Sequence, residues 1–350
     1  MENTFEYTTI EQQIQKLKKQ QLHFDDEENA RERLKTYGYY NIINGYRDPY
    51  ITRKYDQKFY LPNVTFEQIF HLFFFDQVIR DAVLLSMIDL EEHLRAATSE
   101  IIAEHFGSDY RQYLYKNNYR DRKVKDSHFS RNNILSIMTK TAETSLNQPI
   151  KYYRESHGII PPWILFKGLL FGTLVNFIRL LKSPQRNALI RTLYASEVTD
   201  ESLDSYKDFL SDTLAMCVEY RNLAAHGGRI YNYIPKSNIR AFENTSISPG
   251  LPQLLEVLRH FEYKHPYFRL QNEINSALDM YCSQYPEDVP RIEQTTGFII
   301  EVEKQVWVNQ KTNKYHSIPH CSGIQNVQCI PLNEAKSIGY IACKKCIKES

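Results

Sequence analysis

The chain has 350 residues, 42% of them hydrophobic, and its 43 basic and 42 acidic side chains give a net charge of +1. This length allows two or three domains with their own cores. The balanced charge excludes nucleic-acid binding through overall charge, so any basic surface must be local. No apolar run approaches the ~20 residues that a membrane span requires, and the first residues lack a secretory signal. We therefore expect a cytoplasmic protein without membrane contact.

The first 60 residues are predicted to form an N-terminal helical extension. Residues 8–36 have the pattern of two short helices, the first opened by a capping box at Thr9 and Gln12 and the second opened at Asp25. A segment rich in tyrosine and glycine follows. We expect its aromatic side chains to pack the extension onto the main domain, although they could instead stack on bases; they are Tyr37, Tyr39, Tyr40 and Tyr46.

A helical domain is predicted over residues 61–282. Between residues 64 and 106 there is neither glycine nor proline, which predicts one helix ~60 Å long. Glu91 lies on its apolar stripe. We expect it to pair with Arg95 four positions later, or alternatively to hold Arg221 of a later helix.

Residues 109–131 contain seven basic and three acidic side chains interleaved with four tyrosines. Such a mixture suits an RNA backbone with unstacked bases, and Arg120, Arg122 and Lys123 are the candidate contacts. A solvated connector is an equally good interpretation.

The next helix is predicted to begin at Pro161 and Pro162, because proline is favoured in a first helical turn. Its apolar positions are expected to be core: Trp163, Phe166, Leu170, Leu174, Phe177 and Leu181. A polar link is predicted over residues 183–201, and a helical pair over 253–281 closes the domain.

A long helix opening near Ser205 carries an arginine at a core position. Leu210, Leu214, Cys217 and Arg221 fall on one helical face. An arginine is rarely buried without a partner. Its head must therefore either reach solvent or face a cleft that holds an anion.

The end of this helix brings further polar groups together. Asn222 and His226 are four positions apart and share a face, and Gly227 and Gly228 are typical of a helix C-terminus. Arginine can hold a phosphate through two hydrogen bonds, and histidine transfers protons near neutral pH. Arg221, Asn222 and His226 are therefore the candidate groups for acid–base cleavage of a phosphodiester.

The spacing Arg221-x4-His226 resembles the R-x4-H motif of HEPN domains, and residues 219–232 (EYRNLAAHGGRIYN) resemble that motif in the bacterial Abi (abortive infection, AbiD/AbiF-like) family. Three other stretches also resemble this family and occur in the family's order. They are YGYYNIINGY at 37–46, the helix from Phe66 through Phe75-Asp76-x3-Arg80 to Arg95, and Pro161-Pro-Trp163 followed by Phe171-Gly172.

The resemblance implies a mainly α fold, a HEPN-like helical bundle, and a metal-independent endoribonuclease. In such an enzyme Arg221 would stabilise phosphoryl charge, His226 would transfer protons and Asn222 would orient them, with Arg229 and Tyr231 near the cleft. A single R-x4-H motif further implies a homodimer. The biological role implied is phage defence as a toxin–antitoxin RNase, restrained by an RNA or protein antitoxin. The alternative is a non-catalytic RNA-binding module.

The C-terminal residues have a different character. Residues 283–297 are predicted to be a linker, and 298–350 a small β-rich domain whose first hairpin joins residues 298–302 to 306–308. His316, Cys321, Cys343 and Cys346 make a Cys3His set that suits structural zinc. This stretch resembles small bacterial zinc modules such as the metal-binding domain of Ada-type repair proteins. His320 and Cys329 are the second-ranked ligands.

Overall fold

The computed structural model describes residues 7–54, 57–121, 130–300, 305–309, 311–318, 321 and 327–347. The chain divides into two compact units, Met1–Ala277 with Gln294–Phe298, and Leu278–Glu293 with Ile299–Ser350. The described residues are mainly α-helical, which confirms the predicted fold class. None of the described helices is long and apolar enough to cross a bilayer.

The helices of the first unit include one of 41 residues among many shorter ones. Their bounds are α1 (Ile10–Lys19), α2 (Glu27–Tyr37), α3 (Phe66–Phe106), α4 (Tyr110–Tyr113), α5 (Arg131–Thr144), α6 (Ile150–His157), α7 (Pro162–Leu165), α8 (Phe171–Ile178), α9 (Ser183–Tyr194), α10 (Leu203–Ala225) and α11 (Leu251–His260). They are followed by α12 (His265–Gln284) and α13 (Val289–Thr296).

The two N-terminal helices form as predicted. Thr9 and Gln12 make the reciprocal capping box at the start of α1, with hydrogen bonds of 2.8 and 3.3 Å. The start of α2 is one residue later than expected, since Asp26 rather than Asp25 accepts the hydrogen bond from the Asn29 N–H. A small hairpin, β1 (Ile51–Lys54) and β2 (Gln57–Tyr60), follows and was not foreseen.

The predicted long helix is α3, and the rest of the first unit packs around it. Most of its apolar side chains are buried, although Phe74, Leu85 and Ile88 are exposed, and α7, α9 and α10 all contact it. Each fully buried leucine or isoleucine contributes about 1.5–3 kcal/mol to folding, so this helix forms the centre of the core. The fully buried residues include Ile69, Leu72, Ile79, Val83, Met87, Leu90 and Leu94.

The helix predicted to begin at Pro161 is interrupted, and two of its expected core residues are exposed. A 3-10 turn at Phe166–Gly168 separates α7 from α8, and the side chains of Trp163 and Leu170 are 47% and 74% exposed. Gly168 lies so close to α6 that an added Cβ would be 2.4 Å from Ile150 Cδ1. The helix is interrupted at this point, so a single period of 3.6 residues does not describe the whole segment, and the core face predicted from that period is partly wrong.

The predicted polar link at 183–201 is wrong, because most of it forms α9. Pro184 lies in the first turn, where its missing N–H costs nothing. Leu189, Ile190 and Leu193 are fully buried. The polar residues that suggested a loop occupy the other face of an amphipathic helix.

The second unit contains a four-stranded sheet in the order β5-β3-β4-β6. The strands are β3 (Gln305–Asn309), β4 (Lys314–His316), β5 (Gln328–Pro331) and β6 (Ile341–Ala342), with a short helix α14 (Leu332–Ser337). Strand β3 pairs antiparallel with β4 and β5, and β4 pairs parallel with β6. Val306, Val308, Ile330 and Ala335 form its small core.

Two expectations for this region were wrong. Residues 298–300 are not in a strand, residues 301–302 lie outside the described part, and Val306–Val308 pair instead with strands later in the chain. Residues 283–297 were predicted to be a linker but form a 3-10 turn at Pro286–Asp288 and the helix α13. The prolines at 286 and 290 lie in first turns, where they start helices rather than break them.

Candidate active site and metal cluster

The C-terminal end of α10 matches the sequence prediction. Leu210, Leu214 and Cys217 are buried on the core face. His226 is the C-cap residue, and its N–H donates to the Asn222 carbonyl at 3.1 Å. Gly227 then takes a left-handed conformation with φ of 70°, which only glycine adopts without strain. The imidazole of His226 is consequently exposed at the end of the helix.

Arg221 lies between the core and solvent, with its side chain 29% exposed. Its Nε is 3.9 Å from Oε2 of Glu91, while the other oxygen of Glu91 binds Arg95. Both predicted partners of Glu91 are thus present. Burial raises the pKa of Glu91, and the charges of Arg95 and Arg221 oppose this rise. At 3.9 Å the contact with Arg221 is a long one, and among the described residues Arg221 donates no hydrogen bond.

His226 opens onto a cavity of about 570 Å³ in the first unit. Arg229 also faces this cavity, together with Arg80 of α3. No acidic side chain is among its described lining residues, which makes the cavity cationic. Arg221 and Asn222 are not among its described lining residues, so this cavity holds only one of the three predicted catalytic side chains, His226. The remaining lining residues are Thr36, Tyr37, Tyr40, Asn41, Asn44, Gly45, Tyr46, Phe73, Gln77 and Gly227.

Sequence reasoning missed several of these cavity residues. Arg80, Asn41 and Asn44 lie within stretches that carry the family resemblance, yet they were given no role. The tyrosine segment was expected to be packing. The ring of Tyr46 fits that expectation because it packs on Phe73, whereas the side chain of Tyr40 is 75% exposed at the cavity.

Arg229 and Tyr231 follow the helix end but have different environments. Arg229 is exposed, donates to the Gly45 carbonyl at 2.5 Å, and lies 5.9 Å from the centre of the Tyr46 ring. Tyr231 is 5% exposed and stacks on Tyr46 with ring centres 6.1 Å apart. Tyr231 is therefore a core residue, and its expected place in an RNA-binding cleft is not what the structure shows.

A buried carboxylate, Asp76 of α3, connects the three segments that surround the cavity. It accepts hydrogen bonds from the Tyr46 hydroxyl at 2.5 Å and from the N–H groups of Ile230 and Tyr231 at 2.9 and 2.7 Å. Burial raises the pKa of Asp76, and these hydrogen bonds oppose that shift. Asp76 therefore holds the loop after His226 against the tyrosine segment.

A second carboxylate, Glu219 of α10, holds the next part of the chain. It accepts hydrogen bonds from the Tyr233 hydroxyl and from the N–H groups of Lys236 and Ser237, each at 2.8 Å. Partial burial would raise the pKa of Glu219, but the hydrogen bonds from Ser237, Lys236 and Tyr233 outweigh it and lower the pKa.

Of the three basic residues proposed to bind RNA between α4 and α5, only Arg120 can be placed. Its Nη2 donates to the Arg179 carbonyl at 2.7 Å, and its side chain lines a different cavity from that of His226. Arg122 and Lys123 lie outside the described residues.

The second unit brings together the four predicted metal ligands. One ligand atom from each of His316, Cys321, Cys343 and Cys346 lies within 4.8 Å of all the others. The sulfurs of Cys321 and Cys343 are 3.9 Å apart, and Cys346 Sγ is 3.6 Å from His316 Nδ1. These residues could hold a metal ion.

The separations fit a tetrahedral zinc ion. Zn–S bonds of ~2.3 Å and Zn–N bonds of ~2.0 Å at tetrahedral angles place two sulfurs about 3.8 Å apart and a sulfur and a nitrogen about 3.5 Å apart. Hydrogen bonds from the N–H groups of Lys345 and Cys346 lower the pKa of the Cys343 thiol, which favours the thiolate that binds metal. Cys329 is exposed on β5 and outside this cluster, and His320 lies outside the described residues.

Comparison with protein families identifies one match, to the model of the Abi-like proteins over residues 32–232. No curated protein and no solved structure matches the chain. The matched region covers more than half of the 350 residues and includes the tyrosine segment, α3, and α10 with the turn that follows it. The chain therefore belongs to the family of Abi-like proteins, a membership that points to abortive infection, and so to phage defence, as its biological setting.

Proposed function

We propose that this protein is an RNase of phage defence, a HEPN-type endoribonuclease that cleaves RNA without a catalytic metal. The observation that carries the proposal is the exposed His226 at the mouth of a cationic cavity that also presents Arg80 and Arg229. A phosphodiester needs cations to hold it and a group that transfers protons. This cavity supplies both.

The cavity also has groups suited to a single-stranded RNA. The exposed ring of Tyr40 offers a surface on which a base can stack. The amides of Asn41 and Asn44 can donate to and accept from base edges or the 2′-hydroxyl. RNA is favoured over DNA because the proposed reaction requires the 2′-hydroxyl.

In the proposed reaction the 2′-oxygen forms a bond to the adjacent phosphorus while the bond from phosphorus to the 5′-oxygen breaks. A base accepts the proton of the 2′-hydroxyl and an acid protonates the departing 5′-oxygen, which leaves a 2′,3′-cyclic phosphate and a 5′-hydroxyl. His226 is the proton-transfer group. Arg80 and Arg229 offset the charge that builds on the phosphoryl oxygens.

Arg221 and a second chain complete the proposal. One histidine cannot serve as both base and acid in a single concerted step, so we propose a two-fold homodimer in which two motifs meet. The long contact between Arg221 and Glu91 leaves the guanidinium able to donate to a phosphate held across that interface. Sedimentation should show a dimer at concentrations at which the protein is active; an active monomer would remove this part of the proposal.

The decisive experiment incubates the purified protein with end-labelled single-stranded RNA in the presence of EDTA. Wild type should cleave, and His226→Ala should cleave at least about 100-fold more slowly, because general acid–base groups contribute about that much or more. His157→Ala is the matched control, since His157 is also exposed at a helix end followed by a left-handed glycine, Gly158 with φ of 66°.

The products distinguish this mechanism from others. They should carry a 2′,3′-cyclic phosphate, detected by mass spectrometry, and accept phosphate from polynucleotide kinase at the 5′ end. Cleavage that requires magnesium and leaves 5′-phosphates contradicts the proposal. Tight RNA binding without cleavage by wild type would instead support a non-catalytic RNA-binding module. One observation favours this second function: Arg221 and Asn222 are not among the described residues that line the cavity of His226.

We also propose that the Cys3His cluster binds one structural Zn²⁺ and that the protein acts in the reducing environment of the cytoplasm, where these thiols do not form disulfides. With four protein ligands, zinc would stabilise the second unit, whose small core gives it little stability of its own.

A partner RNA or protein that restrains the RNase is expected for a toxin–antitoxin pair. The test is co-purification from the native host. The wild-type protein should carry such a partner, and the Arg80→Glu protein should not.

A further inference from the structure

A groove of about 810 Å³ lies in the N-terminal part of the first unit, between α1 and the strand β2. One wall is the polar stripe of α1, on the side opposite the buried face of this helix. The stripe runs from Glu11 to Gln20 and is about 14 Å long at a rise of 1.5 Å per residue. The other wall is formed by Gln57, Lys58 and Phe59 of β2.

The groove carries more positive than negative charge. Three lysines line it, Lys16, Lys19 and Lys58. Among its described lining residues only Glu11 is acidic, and this carboxylate lies 3.5 Å from Nε of Arg31 on α2. In the described part of the chain none of the three lysines forms an ion pair with a carboxylate. Their ammonium groups are therefore open to an anionic ligand.

The uncharged side chains of the groove suit a ligand that has both polar edges and flat rings. The amides of Gln15, Gln20 and Gln57 can each donate and accept hydrogen bonds, and within the described residues they have no hydrogen-bond partner. The half-buried ring of Phe59 lines the same groove and offers a surface on which a base can stack. Cations, amides and an aromatic ring are the groups that bind the phosphates, base edges and base faces of a single strand.

Two adjacent tyrosines connect this groove to the cavity of His226. Nζ of Lys16 lies 6.0 Å from the centre of the Tyr39 ring. The next residue, Tyr40, lines the cavity of His226 and is exposed there. Because consecutive Cα atoms are about 3.8 Å apart, the groove and the cavity adjoin the same short segment. A strand that is bound in the cavity can therefore continue over this segment into the groove.

We propose that the groove binds the RNA strand next to the nucleotides held in the His226 cavity, with its three lysines on backbone phosphates. The identification of the ligand as RNA rests on the proposed function, whereas the site for an anionic polymer rests on the groove alone. By charge, an acidic protein segment would compete with RNA for the groove. RNA is favoured because the groove adjoins the candidate active site and because Phe59 provides a stacking surface.

The test measures binding in a His226→Ala background, so that cleavage does not interfere. The probe is a fluorescein-labelled oligoribonucleotide of ten residues, followed by anisotropy at several salt concentrations. Two variants act on the groove: Lys19→Gln/Lys58→Gln removes two cations, and Gln15→Glu adds a carboxylate without deleting a lysine. Lys140→Gln is the matched control, because Lys140 is an exposed lysine on α5 that lies outside the groove and the cavity and has no ion pair among the described residues.

The double variant should weaken binding about tenfold and lower the slope of log Kd against log salt by about 1.4, since each phosphate contact on a single strand contributes about 0.7. Gln15→Glu should also weaken binding, and Lys140→Gln should change neither quantity. Lys19→Arg/Lys58→Arg keeps both charges and should bind like the parent protein. Melting curves that match those of the parent protein establish that the variants are folded.

Equal binding by the groove variants and the Lys140→Gln control overturns the proposal. Binding of labelled poly-glutamate that depends on Lys19 and Lys58, while RNA binding is unaffected by their loss, assigns the groove to an acidic protein and overturns it too. These results are separable from the proposed function. Weakened RNA binding by the groove variants with no cleavage by wild type leaves the RNA groove and removes the RNase. Unchanged binding by the variants with cleavage by wild type removes the groove and leaves the RNase.

Discussion

The hydroxyl of Tyr46 donates a 2.5 Å hydrogen bond to the buried carboxylate of Asp76, and through it the tyrosine segment is joined to the loop that follows His226. Asp76 is 30 residues from Tyr46 and 154 from Ile230. The shape of the candidate active site therefore depends on one carboxylate that does not line it.

Asp76→Ala should lower the free energy of unfolding by about 2–4 kcal/mol relative to wild type. The substitution leaves the Tyr46 hydroxyl and two buried N–H groups without their acceptor, and each unsatisfied buried donor costs about 1–3 kcal/mol, in part recovered by relaxation. Urea unfolding followed by circular dichroism measures the change. Asp81→Ala, an exposed carboxylate on the same helix, should stay within about 0.5 kcal/mol of wild type.

Arg80→Gln should lower the rate of RNA cleavage by about 10- to 100-fold while leaving the melting temperature close to that of wild type. Arg80 is half-buried and lines the same cavity as His226; its charge acts on the buried Asp76, but its position in the cavity lets it contact a bound phosphate as well. The measurement is the initial rate on labelled RNA. Arg259→Gln, which removes an arginine paired with Glu256 on α11, should cleave at the wild-type rate.

Gly227→Ala should destabilise the protein by about 1 kcal/mol, since alanine must adopt a left-handed conformation at φ of 70°. No atom lies within 4 Å of the added Cβ, so strain and not a clash is the cause. Gly172→Ala provides the contrast, because Gly172 lies in α8 with open space around it and alanine favours helices by about 1 kcal/mol. Thermal melting should move in opposite directions for the two variants.

Glu219 should make stability depend on pH in the acid range. Hydrogen bonds lower its pKa in the folded protein, so its contribution to the free energy of unfolding is present above the ordinary pKa and is lost as pH falls through the folded pKa. Glu219→Gln should therefore destabilise the protein at pH 7, and the difference from wild type should shrink towards pH 3. A difference that stays constant over this range would show that the charge is not responsible.

Cys343→Ser should reduce bound zinc from one equivalent to well below half, measured by plasma mass spectrometry of the purified protein. In the proposed site all four residues of the cluster would hold the zinc, so the loss of one ligand is expected to weaken binding. Cys329→Ser should retain full zinc because its sulfur lies outside the cluster. A strong chelator should destabilise wild type and leave Cys343→Ser unchanged.

Local patterns predicted a substantial part of this protein. The 41-residue α3, the core face and glycine stop of α10, the capping box of α1 and the grouping of four metal ligands follow from spacing, because a helix repeats every 3.6 residues and a metal site needs ligands at short intervals. Patterns misled where a 3-10 turn interrupted the helical period, as at Phe166–Gly168, and where prolines began helices, as at Pro184 and Pro286.

The sequence by itself determined the position of the long helix α3, where α10 ends, and which residues can bind a metal, since each of these depends on neighbours a few positions away. Only the tertiary structure decided that Arg80 rather than Arg221 shares a cavity with His226, that Tyr231 is core, and that Asp76 binds groups up to 155 residues away from it in the chain. Such contacts arise from the way helical faces pack on α3. That packing depends on the complementarity of whole surfaces, which cannot be predicted from the spacing of residues along the chain.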